Sequence, residues 1–287
     1  MSSRFPVVAG AFYPSSKDLL IKEIEKCFKH QLGPGKVPDK PIEYFSRISF
    51  LISPHAGYVY SGPVAAHGYY NLYKNPLPKT IIILGPNHQG YGTSVSIYPE
   101  GTWRTPLGEV KIDKELAYSI ARVSDVFSLD EASHMYEHSI EVQIPFLQYI
   151  LKDFKIVPIC MLDQNKKTSI EVGEAIASII ADKKDVAIIA STDFTHYESA
   201  KDANRKDNEA IKAIIDLDVD KFYNIIEELN VSMCGFGPVS SLMTIAKKIG
   251  VKKGNLLKYA TSGDITGDYS SVVGYASIFF EAIKNNV

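Results

Sequence analysis

Three short apolar runs rich in isoleucine each feed directly into a loop that carries a histidine. Ile48–Ile52 leads into Pro54-His55-Ala56-Gly57-Tyr58, Thr80–Leu84 into Gly85-Pro86-Asn87-His88, and Val186–Ala190 into Ser191-Thr192-Asp193-Phe194-Thr195-His196. Runs of this length and composition, punctuated by Pro or Gly, are those of strands buried on both faces. They require a parallel or mixed sheet covered by helices on its two sides. In open α/β sheets the ligand site lies beyond the carboxyl ends of the strands. Three of the seven histidines in the chain are thus delivered to equivalent sheet-end positions.

The segments between these runs predict the covering helices. Ser16 stands where it can cap a helix running through Leu19, Leu20, Ile24, Phe28 and Leu32, which Gly33-Pro34-Gly35 ends. Ser61, with Pro63 in the first turn, reads as the cap of a second helix. Further helices are expected over about 113–122, 139–151, 168–182, 205–215, 218–229 and 239–249, and strands near 155–161, 186–191, 255–261 and 271–279. Thr93–Pro106 reads as a hairpin. Alternation of β and α over the whole length predicts one doubly wound α/β domain, residues 1–287, with a central mostly parallel or mixed sheet.

Composition narrows the function. A formal charge of −2 and the lack of a long basic run give no case for nucleic acid. No stretch reaches the length of a membrane span, and the N-terminus Met1-Ser2-Ser3-Arg4-Phe5-Pro6 does not read as a signal peptide. Cys27, Cys160 and Cys234 are odd in number and far apart, which suits a reducing cytoplasm better than a disulfide framework.

Cys27 and Cys160 read as small buried hydrophobes. Cys234 differs, because Gly235, Gly237 and Pro238 surround it in a turn, where a thiolate can serve as a soft metal ligand beside imidazoles. Asp193 and His196, three apart just past a strand, suit an imidazole oriented by a carboxylate; Asp193 can equally cap the element that follows. His134-Met135-Tyr136-Glu137-His138 matches the H-x-x-E-H pattern of inverted zinc peptidases. That chemistry needs both histidines on one helical face, whereas a helix here is expected only from Ser139. His30 and His67 fall on predicted helices and read as structural. Glu137, His138 and Glu141 are placed to line the pocket.

Several ordered motifs resemble those of the Memo family: Val8-Ala9-Gly10-Ala11-Phe12-Tyr13-Pro14, the Pro54–Gly62 stretch, Gly85-Pro86-Asn87-His88, Glu137-His138-Ser139-Ile140-Glu141, Ser191–Tyr197 and Cys234-Gly235. The resemblance implies a fold similar to the class III (LigB-type) extradiol dioxygenases, non-haem iron enzymes with two histidines and a glutamate on the metal. It would place His55, His88 and Cys234 on one iron or copper ion, with zinc as a further candidate. His196 would stand at the acid/base position with Asp193 orienting it, and Tyr58 and Tyr60 would supply pocket walls and hydroxyl donors. Cys234 stands where those enzymes have a carboxylate, a departure that bears on ring cleavage because a thiolate is itself oxidisable. The function this implies is a redox-active metal protein acting on a small molecule or peptide in the strand-end pocket. Two alternatives stand beside it: a signalling module that binds a peptide in an inactive pocket, and a zinc metallohydrolase.

Overall fold

The computed structural model describes residues 3–39, 48–74, 78–183 and 185–282. The strands are β1 (Ser3–Arg4), β2 (Ser49–Ser53), β3 (Thr80–Pro86), β4 (Val95–Ile97), β5 (Thr102–Thr105), β6 (Gly108–Ile112), β7 (Ser128–Leu129), β8 (Lys155–Met161), β9 (Val186–Ser191), β10 (His196–Glu198), β11 (Asn255–Thr261) and β12 (Val272–Glu281). The helices are α1 (Lys17–Lys29), α2 (Tyr58–Lys74), α3 (Lys114–Ala121), α4 (Ile144–Ile150), α5 (Lys166–Ile180), α6 (Ala200–Ile215), α7 (Val219–Glu228), α8 (Phe236–Lys248) and the single turn α9 (Gly263–Thr266).

All of these strands join one mixed sheet, whose main path runs β1-β5-β6-β8-β3-β9-β2-β12-β10. Its centre, β6-β8-β3-β9-β2, is parallel, and β12 closes one side antiparallel to β2, β10 and β11. Every residue of β2, β3 and β9 is buried, which is why these strands are unbroken apolar runs rather than alternating ones. Helix α2, carrying α1 and α4, packs on β2, β11 and β12; α8, carrying α5, packs on β2, β3 and β9. Gly68 permits the close seat of α2, since a Cβ there would run into the Leu51 side chain. Among the described residues no helix is long and apolar enough to cross a membrane.

Four local expectations need correction. Helix α2 begins at Tyr58, not after Ser61, so Pro63 lies inside it. The Tyr58 N–H donates to Phe12 O and the Ser61 hydroxyl to Ala56 O, partners that the local sequence does not announce. The hairpin is β5–β6, turning at Pro106-Leu107 into Gly108 at φ +128°, while β4 leaves to pair with β7 and β8. The helix expected from Ser139 starts only at Ile144, after a 3-10 turn at Glu141–Gln143, because Ser139, Glu141 and Gln143 are committed to tertiary hydrogen bonds. Ser16 does precede α1, but its side chain makes no capping bond, and the helix ends at Lys29.

Candidate metal centre

Strands β3, β9 and β2 lie side by side in parallel, so their carboxyl ends share one edge. His55, His88 and Asp193 each follow shortly after one of these strands, and all three line one cavity of about 510 Å³ with His138, His196 and Cys234.

The tautomer of His55 follows from its surroundings. Gln143 donates through Nε2 to the Pro54 carbonyl (3.0 Å) and to Ser191 Oγ (2.7 Å). Ser191 has one hydroxyl proton, and it goes to the Ser139 carbonyl at 2.6 Å. His55 Nδ1, 2.8 Å from that same oxygen, must therefore be the donor, which leaves Nε2 bare. His88 is held differently: Nδ1 lies 2.9 Å from Glu137 Oε1, a carboxylate that can only accept, so in the neutral ring Nε2 carries the lone pair. His138 stacks on His88 with ring centres 4.8 Å apart and meets His55 edge-on at 5.5 Å. His55, His88 and His138 each bring one nitrogen within 4.8 Å of the others, a grouping that can hold a metal ion.

Cys234 closes the other side. Its Sγ lies 3.3 Å from His55 Nε2, and the Asp193 N–H points at the sulfur from 3.2 Å. The turn holding it is keyed to the end of β9: Gly235 N–H donates to Thr192 Oγ1, and a Cβ at Gly235 would stand 2.5 Å from Ser191 O. His196 is held by Ser232, whose carbonyl accepts from Nδ1 at 2.8 Å, so in the neutral ring Nε2 carries the lone pair.

A family model described as Memo-like protein matches residues 4–279. This chain belongs to the Memo family. A "MEMO1 family protein" of Sulfurisphaera tokodaii is 50% identical over 281 residues, covering 96% of this chain and 99% of that protein. Another from Methanothermobacter thermautotrophicus is 49% identical over 276 residues, with coverage of 96% and 99%. A crystal structure described as uncharacterized protein JW3007 from Escherichia coli K12 matches with a TM-score of 0.52 at 15% identity, over 81% of this chain and 99% of that one. That last likeness is one of fold alone.

Burial favours the uncharged forms of His55, His138 and Cys234 in the Memo-family cavity. Burial, reinforced by the neighbouring histidines, holds the His55 imidazole well below its ordinary range. Burial likewise lowers His138. Burial pushes the Cys234 thiol up, with Asp193 adding to the effect. Burial also raises Asp193, against the pull of the His55 N–H, which donates to its Oδ1 at 2.8 Å. Glu137 is the exception. Burial alone would raise it, but the His88 hydrogen bond and the nearby imidazoles bring it down to about 2.

The structure redistributes several expected roles. Asp193 Oδ1 accepts from the His55 backbone N–H, and the His196 Nδ1 donates to the Ser232 carbonyl. Tyr58 is buried against Tyr13 and Phe146, with its hydroxyl on Val142 O, and neither it nor Tyr60 lines the cavity. The H-x-x-E-H pattern does not form a two-histidine helix. His134 ends a 3-10 turn and is fully buried against Tyr98 and Trp103, with Nε2 on Ser96, whereas His138 faces the cavity. His67 binds Leu32 O, and His30 accepts from Leu32 N–H. Cys27 and Cys160 are buried and Cys234 is half-buried. His138 joins the candidate donors instead of only lining the pocket; its place in a loop gave no periodic signal to mark it. Ser232 holds His196 twice, its Oγ accepting from the His196 backbone N–H at 2.8 Å and its carbonyl from Nδ1, a pairing across 36 residues that no local motif marks.

Proposed function

We propose that this Memo-family protein binds one iron or copper ion through His55, His88 and Cys234 and supports redox chemistry on a small molecule or peptide in the strand-end cavity. The observation that carries the reading is the pair of imidazoles whose Nδ1 protons are committed to Ser191 and Glu137, leaving two bare nitrogens beside a thiol. Two neutral imidazoles and a sulfur donor suit iron, copper or zinc and are poor partners for magnesium or calcium. When bound, iron or copper supplies one-electron chemistry at the cavity floor.

The remaining steps belong to the chain's own residues. His196, with Nδ1 fixed by Ser232 and Nε2 bare, takes a proton from the cavity ligand or returns one. Asp193 acts as a positioning residue: its carboxylate fixes the backbone of His55, and its N–H fixes the Cys234 sulfur. Phe12 and Val273 supply apolar wall against which an uncharged part of a ligand rests.

Anaerobic titration of the metal-free protein with Fe(II) or Cu(I), followed by metal analysis, tests this reading. About one ion per chain is expected, as for a single mononuclear site, with binding that weakens as pH falls because protons compete for the donors. Unchanged binding in the His55→Ala, His88→Ala double variant overturns the proposal.

A further inference from the structure

Tyr197 stands in a conformation that its side chain resists. Its φ is +59°, in the left-handed region where a bulky residue is an outlier. The strand register shows how this arises. His196 pairs with Val273 and Glu198 with Val272, so Tyr197 is the extra residue of a bulge between β10 and β12. Glycine is the usual occupant of a left-handed bulge position. Packing does not account for a tyrosine there: the residue is 78% exposed, and its one ring contact among the described residues is the edge of His196 at 5.8 Å. Consecutive residues of α6 hold the bulge from both sides. Asp207 accepts from the Thr195 N–H (3.1 Å) and hydroxyl (2.6 Å) just before it. Lys206 donates to Glu198 (2.6 Å) just after it and to the Asn230 carbonyl (3.1 Å). A backbone conformation that costs free energy persists only where its surroundings over-determine it, and such places cluster at ligand sites. The result here is that Tyr197 lines the strand-end cavity next to His196.

We infer that Tyr197 is a ligand-contact residue of the strand-end cavity, selecting ligands that carry a flat apolar portion beyond the atoms held at the cavity floor. The inference rests on the metal-site reading above and adds to it a residue that touches the ligand rather than the ion. A tyrosine ring turns about only two side-chain bonds, so it offers a large flat contact at small cost in conformational entropy. Phe12 and Val273 add apolar wall to the same cavity. Among the described residues no lysine or arginine lines it, so an anionic group on that outer portion finds no cationic partner there. What remains to recognise the ligand away from the floor is flat apolar surface, and Tyr197 supplies the part of it that the backbone is strained to present.

Two measurements on the full chain test this. In the metal-free protein, Tyr197→Asn should raise the urea midpoint, because asparagine tolerates the left-handed backbone and an exposed ring gives up little packing. A lower midpoint would show that the tyrosine is kept for stability and would overturn the inference. In the copper(II)-loaded protein, imidazole and 4-phenylimidazole serve as probes, titrated as added ligands and followed by visible absorbance. The wild type should prefer 4-phenylimidazole, and Tyr197→Asn should cut that preference by about fivefold, the scale of one aromatic contact, with imidazole affinity unchanged. Tyr197→Phe keeps the ring and should keep the preference; its loss there would overturn a flat-ring contact. An equal preference in wild type and Tyr197→Asn would overturn the inference while leaving the metal-site reading intact. A wild-type protein that takes up no copper would sink the metal-site reading, and this inference with it.

Discussion

The imidazoles of His55 and His88 are held by unlike walls. His88 leans on a charged wall: Glu137 accepts from its Nδ1 and backbone N–H and from the N–H groups of His138 and Ser139. That loop is braced from behind by Arg4, which donates to the His134 and Glu137 carbonyls, pairs with Glu141 at 2.5 Å and lies over the Trp103 ring. His55 leans on a neutral wall made of a serine, a glutamine and carbonyl groups. Equivalent tautomers are thus obtained by opposite means. The charged wall depends on ionisation and on a buried ion pair, and the neutral wall depends only on the direction of hydrogen bonds. A carboxylate behind His88 also makes it the stronger donor of the two.

The largest expected effect breaks the charged wall. Arg4 and Glu141 are both buried, so Glu141→Ala leaves a guanidinium without its partner at a cost of about 3–5 kcal/mol. Urea unfolding should show that loss, and the Arg4→Met, Glu141→Leu double variant should recover most of it. A loss below about 1 kcal/mol, the level of an exposed pair, would mean that the wall stands without its brace.

The next effect separates the walls by pH in the metal-free protein. Unfolded, Glu137 takes up a proton near 4.5, but folded only near 2. Its stabilisation is complete above the first value and lost as pH falls toward the second, a window worth on the order of 3 kcal/mol. His55 and His138, lowered by burial, and His134, lowered to about 3 by burial and by Arg4, begin to cost stability higher up, as pH drops below 6.5. Unfolding midpoints at stepped pH should therefore fall through both ranges for the wild type, while Glu137→Gln keeps the decline that the histidines cause and falls less steeply between 4.5 and about 2. Parallel declines throughout would remove Glu137 from this account.

The smallest effect concerns metal affinity and sharpens the comparison directly. Ser191→Ala frees the His55 Nδ1 proton to move to Nε2, and Glu137→Gln withdraws the charge behind His88. Both should weaken Fe(II) binding by about 10–100-fold, the range for groups behind a ligand, with Glu137→Gln the worse. Competition titration gives the order, and an unchanged Ser191→Ala would show that the hydroxyl does not set the His55 tautomer.

The strand exits were more legible than either wall. His55, His88, Asp193 and His196 could be placed at one sheet edge because strands buried on both faces are continuous apolar runs, and the exits of β2, β3 and β9 follow from them; Cys234 was marked by its glycine turn and the family resemblance, and Gln143 of the neutral wall carried no signal. The bounds of β8, β9 and β11 were legible for the same reason. The charged wall was not, because Arg4 and Glu141 are 137 positions apart and meet only through the fold. The Asp193–His196 spacing misled because Phe194 N–H pairs with Gly274 O of β12, which commits the backbone between them to the sheet. The entry to α2 was hidden because Phe12 O, far away in the chain, satisfies its first donor.

The hydrogen-bond chain behind His55 extends one step further than the cavity. Tyr69 donates to the Gln143 oxygen, Gln143 to Ser191, and Ser191 to the Ser139 carbonyl. Carbonyl groups at Pro54 and Ser139 cannot donate, so the chain has a single consistent polarity, like a row of arrows that all reverse or none do. The lone pair on His55 Nε2 is therefore set when α2, α4 and β9 assemble, before any ion arrives. An ion entering the proposed site would find its first nitrogen already oriented.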